Sequence, residues 1–187
     1  MSDNQNLFGK KIAILATDGF EQIELIQPKD MLMEKGAQID IVSIDQKDTI
    51  QSWDEDNWGD SVKVDAQVTD VSPSDYDALI LPGGQINPDL LRANDEAVAF
   101  IKQAHDESKV KAVAAICHGP WLLAESALID GCEVTSFPSI KTDLINAGAK
   151  WADKEVVTDG KLVTSRNPDD ISAFVAKITE LVAQLKD

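Results

Sequence analysis

Four short apolar runs constrain this chain more than any other feature. They are KKIAILAT (Lys10–Thr17), IDIVSI (Ile39–Ile44), YDALILPGG (Tyr76–Gly84) and VKAVAAIC (Val110–Cys117). Each is too short for a core helix, rich in β-branched residues, and closed by a turn signal, as expected of a strand buried on both faces. Between them lie stretches with helical spacing. One is EQIELIQPKDMLMEKGAQ, where Ile23, Ile26, Met31 and Leu32 share a stripe, Pro28 predicts a kink or restart, and Gly36 supplies the stop. Another is PDLLRANDEAVAFIKQAHDES, read as helical, and a third is PWLLAESALI. CEVTSFP reads as a further strand, and KEVVTDGKLVTSR as a hairpin turning at Asp159-Gly160. A closing amphipathic helix begins at Pro168. Alternation of this kind predicts a mostly parallel sheet with helices on both faces.

In an open sheet of that type, ligands bind beyond the carboxyl ends of the strands. Three such ends carry unusual residues: TDGFEQIE, LPGGQINPD and ICHGP. The last is the sharpest. A strand running into a helix through A-I-C-H-G can hold Cys117 up on a tight bend, in the manner of a nucleophile elbow. The helix end would lower the thiol's pKa and leave backbone N–H groups free for a developing oxyanion. By itself the corner suits a buried structural cysteine as well as a nucleophile. His118 is the base next to it in sequence. Its orienting carboxylate could be Asp89, Glu21 or Glu24. The other histidine, His105, sits in AHDES at a helix end and reads as a surface or C-terminal charge.

Composition excludes several classes. The 187 residues suit a single domain, 1–187, with residues 1–9 as a flexible tail. Thirty-three acidic against 17 basic residues give a formal charge of −16, a field that repels phosphate backbones and argues against a nucleic-acid-binding module. The start MSDNQNLFGKK has no apolar leader, and no run approaches the roughly 18 residues of a membrane span, so the chain reads as cytoplasmic without membrane association. Cys117 and Cys132 then read as free thiols, Cys132 buried and inert. Two distant histidines make no zinc site, and neither phosphate-binding loop pattern is present, so neither metal nor cofactor is expected. The stretch from Asp45 to Ser72 is polar and turn-rich and reads as a short antiparallel excursion or loop, with SVKVDAQV alternating like a strand. Its acidic part SWDEDNWGD (Ser52–Asp60) reads as a solvated surface excursion, or as a wall at the pocket mouth or a subunit contact.

Taken together, AICHGPWLL, DALILPGG, GFEQIELIQP, IKTDLINAGAKWADKEVV and LVTSRNPDD resemble the PfpI family of intracellular cysteine hydrolases, across Lys10 to Leu185. The resemblance implies a flavodoxin-like sandwich with Cys117 as elbow nucleophile and His118 as its partner. It implies a third triad member from a neighbouring subunit at Asp89, where the family often carries glutamate. It also implies that Glu24, which alone would read as an ordinary helix-surface acid, contacts the thiol. Gly83, Gly84 and Gly119 fall in the oxyanion and substrate-binding turns, with the N–H groups of Gly84 and His118 as oxyanion donors. The segment 52–60 is longer and more acidic than the corresponding family loop. A glutamine amidotransferase would need His-x-Glu downstream of the cysteine. Here the only such pattern, His105-Asp106-Glu107, lies upstream. The expected activity is attack on small reactive carbonyls or their protein adducts, of deglycase or glyoxalase type, with a role in stress protection. The alternatives are an intracellular cysteine peptidase, and a redox sensor or chaperone with Cys117 as the oxidisable thiol. A homo-oligomer with its active site near the subunit interface is expected.

Overall fold

The computed structural model describes residues 6–183. Of the expected nine-residue tail, residues 1–5 lie outside the described residues. Leu7 is fully buried and its N–H donates to the Lys35 carbonyl.

A seven-stranded sheet forms the centre. Its strands are β1 (Lys11–Leu15), β3 (Gln38–Ser43), β6 (Ala66–Gln67), β7 (Ala78–Leu81), β8 (Ala112–Ile116), β11 (Val157–Asp159) and β12 (Leu162–Ser165), in the spatial order β11-β12-β8-β7-β1-β3-β6. All neighbours are parallel except the β11–β12 hairpin, which turns at the expected Asp-Gly. The flavodoxin-like architecture read from the sequence is therefore what the chain forms.

Strand alternation divides the core in two. Ala13, Leu15, Leu79, Leu81, Val113 and Ala115 face α3 (Asp95–Asp106) and α4 (Pro120–Glu125). Ile12, Ile14, Ala78, Ile80, Ala112, Ala114 and Ile116 face α1 (Gln22–Glu34) and α6 (Ile171–Ala183), among Leu25, Leu32, Phe174 and Ile178. Both faces are covered, so these strands read as continuous apolar runs. No helix among the described residues is long and apolar enough to cross a membrane.

Several elements depart from expectation. Helix α1 runs unbroken through Pro28, without a restart. Its buried face is Glu24, Leu25, Pro28 and Leu32, whereas Ile23 is exposed. Proline on the core side places its ring among apolar neighbours, and the stripe is rotated from the one that hydrophobicity alone predicts. PDLLRANDEAVAF is two helices, α2 (Ile86–Arg92) and α3. The break falls where the Asn94 side chain accepts the Ala97 N–H and starts a new helix. Helix α4 stops at Glu125, and α5 (Lys141–Asn146) is the next helix in the chain. CEVTSFP gives only β9 (Glu133–Val134), paired with β10 (Lys150–Trp151) outside the main sheet. The acidic excursion folds as a hairpin, β4 (Thr49–Asp54) and β5 (Asn57–Lys63), joined to β2 (Phe20–Glu21) in a second small sheet. SVKVDAQV is divided between β5 in that sheet and β6 in the central one.

Candidate active site

Strands β1, β7 and β8 end side by side, and a cleft of about 440 Å³ opens above them. Cys117 and Glu24 line it, with His118, Gly84 and Phe137 on one part of the wall and Glu21, Trp53 and Glu55 on another.

Cys117 is the first residue after β8 and adopts φ +62°. A non-glycine residue in that left-handed region costs of the order of 1 kcal/mol and persists only where its surroundings impose it. Here the Cys117 N–H donates to Ser165 O (3.1 Å), and its carbonyl accepts from Phe137 N (2.9 Å). The chain cannot follow β8 into α4 without this corner, and the corner lifts the thiol toward the cleft.

The glycines around it have distinct tasks. A Cβ on Gly83 would lie 2.4 Å from Glu24 Oε2 and 2.7 Å from Cys117 Cβ, so only glycine lets the carboxyl and the thiol approach. A Cβ on Gly119 would lie 2.5 Å from the Leu81 carbonyl. Neither supplies an oxyanion donor. Gly83 N–H donates to Glu24 Oε2 (2.8 Å) and Gly119 N–H to Ile116 O (2.8 Å). Their N–H groups are taken up within the chain, and both residues sit where the backbone and side chains approach too closely for a Cβ. The Gly84 and His118 N–H groups instead point at the sulfur and stabilise its anionic form.

Glu24 is fully buried. Burial pushes its carboxyl up to about 8, against the hydrogen bonds from Gly83 N–H and with Cys117 that favour the anion. At neutral pH it is mostly protonated. Its Oε1 has no partner. The Cys117 thiol is also raised, by burial first and then by the Glu24 carboxylate, and the two backbone N–H groups only partly offset this. The lowering expected from the helix end is outweighed; α4 is only six residues long. The thiol and the carboxyl form one coupled acid pair, and protonation of Glu24 removes the charge that opposes the thiolate.

His118 places Nδ1 3.2 Å from Cys117 Sγ. Burial lowers its pKa, so it is neutral and can accept the thiol proton. Its ring stacks on Phe137 (centroids 5.0 Å apart) and meets Trp121 edge-on (5.2 Å). Its Nε2 lies 3.2 Å from Ser139 Oγ. The partner of His118 within the chain is thus a hydroxyl, not one of the three expected carboxylates. Asp89 is exposed on α2 and does not line the cleft. Glu21 lines the mouth. His105 lies half-buried in the last turn of α3 beside Asp106 (3.6 Å), its Nδ1 buried without a hydrogen bond. Cys132, expected to be buried, is half-buried, with Sγ 3.5 Å from the Leu128 carbonyl.

Four contributors escaped the sequence reading. Ser139 and Phe137 reach His118 from a turn about 20 residues downstream, and Trp121 buttresses it from α4. Asn87 is fully buried and ties two strand-end loops together. Its Oδ1 accepts Thr17 N–H (2.8 Å) and its Nδ2 donates to the Pro82 and Gly83 carbonyls (3.0 and 3.2 Å). The acidic hairpin is largely exposed, as the surface reading expects, and it also walls the cleft through Trp53 and Glu55. Among the described residues, no group of three or more His, Cys, Asp or Glu side chains could hold a metal ion.

Comparison with known proteins finds relatives along nearly the whole chain. A model of the DJ-1/PfpI family matches residues 10–181. The chain is 43% identical over 167 residues to General stress protein 18 of Bacillus subtilis (strain 168), covering 89% of this chain and 94% of that one. It is 40% identical over 172 residues to Deglycase PfpI of Pyrococcus furiosus, covering 92% and 99%. Among solved structures, Drosophila melanogaster DJ-1beta superposes with a TM-score of 0.81 at 29% identity, over 94% of this chain and 91% of that one.

Proposed function

The chain belongs to the DJ-1/PfpI family, and on that premise we propose that it is a cysteine-dependent enzyme acting on small reactive carbonyls, or on their adducts with proteins, in the manner of a deglycase or glyoxalase. The observation that carries this reading is the neutral carboxyl of Glu24 beside the Cys117 thiol, at the floor of a cleft where the Gly84 and His118 N–H groups face the sulfur. Relatives named as deglycases support it.

The chemistry follows from those groups. Neutral His118 takes the thiol proton, and the sulfur attacks the aldehyde carbon of a 2-oxoaldehyde such as methylglyoxal. The alkoxide forms against the Gly84 and His118 N–H groups and takes the Glu24 proton, giving a hemithioacetal. The Glu24 carboxylate next removes the proton on that carbon. Protonated His118 supplies one to the adjoining oxygen, giving an enediol. Glu24 then delivers its proton to the second carbon and recovers one from the first hydroxyl, which leaves a thioester. Water cleaves the thioester to a 2-hydroxy acid and frees the thiol, so the net change is 2-oxoaldehyde plus water to 2-hydroxy acid, the ketone being reduced as the aldehyde is oxidised. A peptidase would instead have to admit a peptide chain to the cleft and use the proton taken up by His118 on an amine leaving group.

Purified protein is expected to consume methylglyoxal with stoichiometric formation of lactate, and to leave unfolded peptide substrates uncut. Peptide cleavage without dicarbonyl consumption would replace this reading with the peptidase.

In the same proposal Asp89 serves His118 of a neighbouring subunit. Mixed oligomers of Cys117→Ala and Asp89→Asn chains should then regain part of the activity that either chain lacks alone. Full activity of Asp89→Asn by itself would remove Asp89 from the site and leave Ser139 as the partner of His118.

A further inference from the structure

The mouth of the cleft carries charge and aromatic surface that the reaction above does not use. Strand β2 pairs with β4 so that Glu21 lies opposite Trp53. Trp53 Nε1 donates to the Glu55 carbonyl (2.9 Å), which fixes the turn carrying Glu55 at φ +54°. Trp58 packs edge-on against Trp53, with centroids 5.5 Å apart. Gln22 Oε1 accepts from Ser52 Oγ (2.7 Å) and Asp60 N–H (2.8 Å), so the hairpin is tied to α1. The wall is therefore built, and it presents two carboxylates and an indole to the cavity.

Nothing among the described residues neutralises it. No lysine or arginine among the described residues lines the cleft, and neither Glu21 nor Glu55 has an ion-pair partner among them. Burial, with Asp54 and Glu55 close by, raises the Glu21 carboxyl, the mark of acids crowded without a cation. At the floor of the same cleft, Glu24 Oε1 is buried and unpartnered. The carboxylates do not group as metal ligands. An aromatic face flanked by carboxylates suits an organic cation. The formal charge of −16 adds a long-range field of the same sign.

We infer that the cleft selects its substrates by charge: Glu21, Trp53 and Glu55 receive a guanidinium or ammonium group attached to the reacting carbonyl compound, and anionic carbonyl compounds are disfavoured. This rests on the carbonyl reading of the site for its catalytic part only; the binding preference stands apart from turnover.

Two measurements separate them. In the first, Cys117→Ala protein is titrated with acetyl-arginine amide and with acetyl-glutamate amide, followed by tryptophan fluorescence. Saturable binding of the arginine compound, at least about tenfold tighter than the glutamate compound, is expected. The preference should disappear in Cys117→Ala chains that also carry Glu21→Gln and Glu55→Gln. Equal binding of the two compounds, or a preference that survives the double change, overturns the inference. In the second, wild-type protein is given phenylglyoxals bearing a para-trimethylammonium group, no substituent or a para-carboxylate, which differ in charge but share the free 2-oxoaldehyde. The expected kcat/KM falls in that order, over about tenfold from cation to anion, and the span narrows at high salt. Turnover indifferent to charge overturns the inference. Cation-selective binding with no turnover of any of the three supports the inference and removes the carbonyl reading instead.

Discussion

Cys117→Ala is expected to lower methylglyoxal turnover by roughly 10⁴-fold or more while leaving the fold intact. The size follows from what the thiol does: without a sulfur no covalent adduct forms, and His118, Glu24 and the two N–H groups have no intermediate to act on. The intact fold follows from the corner. Alanine has the same Cβ as cysteine and meets the same cost at φ +62°, and the bonds to Ser165 O and from Phe137 N involve only backbone. What is lost is the packing of one sulfur atom, at most about 1 kcal/mol. Initial rates of dicarbonyl loss, with circular dichroism and thermal unfolding on the same samples, check both halves. Turnover retained by a folded Cys117→Ala chain would take the reaction away from this corner.

Much of this corner was legible in the residues, because its cause is local. The run Ala112–Ile116 must be a buried strand, Pro120 starts a helix, and the small residues on either side of Cys117-His118 leave only a tight turn between them. The central strands were legible for the same reason: burial on both faces writes itself as an unbroken apolar run. Glu24 was different. On periodicity it belongs to the wet side of α1, and its burial depends on Gly83, 59 residues away, leaving room for its carboxyl. Without the family resemblance it would have been passed over. The break between α2 and α3 hangs on one cap, the Asn94 side chain, which helical spacing does not register. Ser139 approaches His118 across 21 residues, and the acidic hairpin becomes a wall only because β2 pairs with β4. Short-range patterning carries no trace of such contacts.

Glu24→Gln should separate the chemistry of the site from its stability, in opposite directions. The amide oxygen can still accept the Gly83 N–H, but the side chain no longer transfers protons. Turnover is expected to fall about 10²- to 10³-fold, while Cys117 still adds to the aldehyde. The covalent adduct should therefore accumulate, visible by intact-protein mass spectrometry. Stability moves the other way. In the native protein the Glu24 carboxyl is raised to about 8 from its ordinary 4.5. Between those values the folded chain keeps a proton that the unfolded chain has released, so wild-type stability declines as pH rises through that window. The decline is about 5 kcal/mol at its limit. Glutamine has nothing to titrate. Relative to wild type, the variant should be close to neutral near pH 4.5 and progressively more stable toward pH 8. Urea unfolding of both proteins at several pH values in that range reads the difference directly. A constant difference would mean that the Glu24 carboxyl is not held protonated, and unchanged turnover would mean that it carries no proton in the reaction. A gain in stability with a loss of rate is what a buried, unpaired acid kept for catalysis predicts.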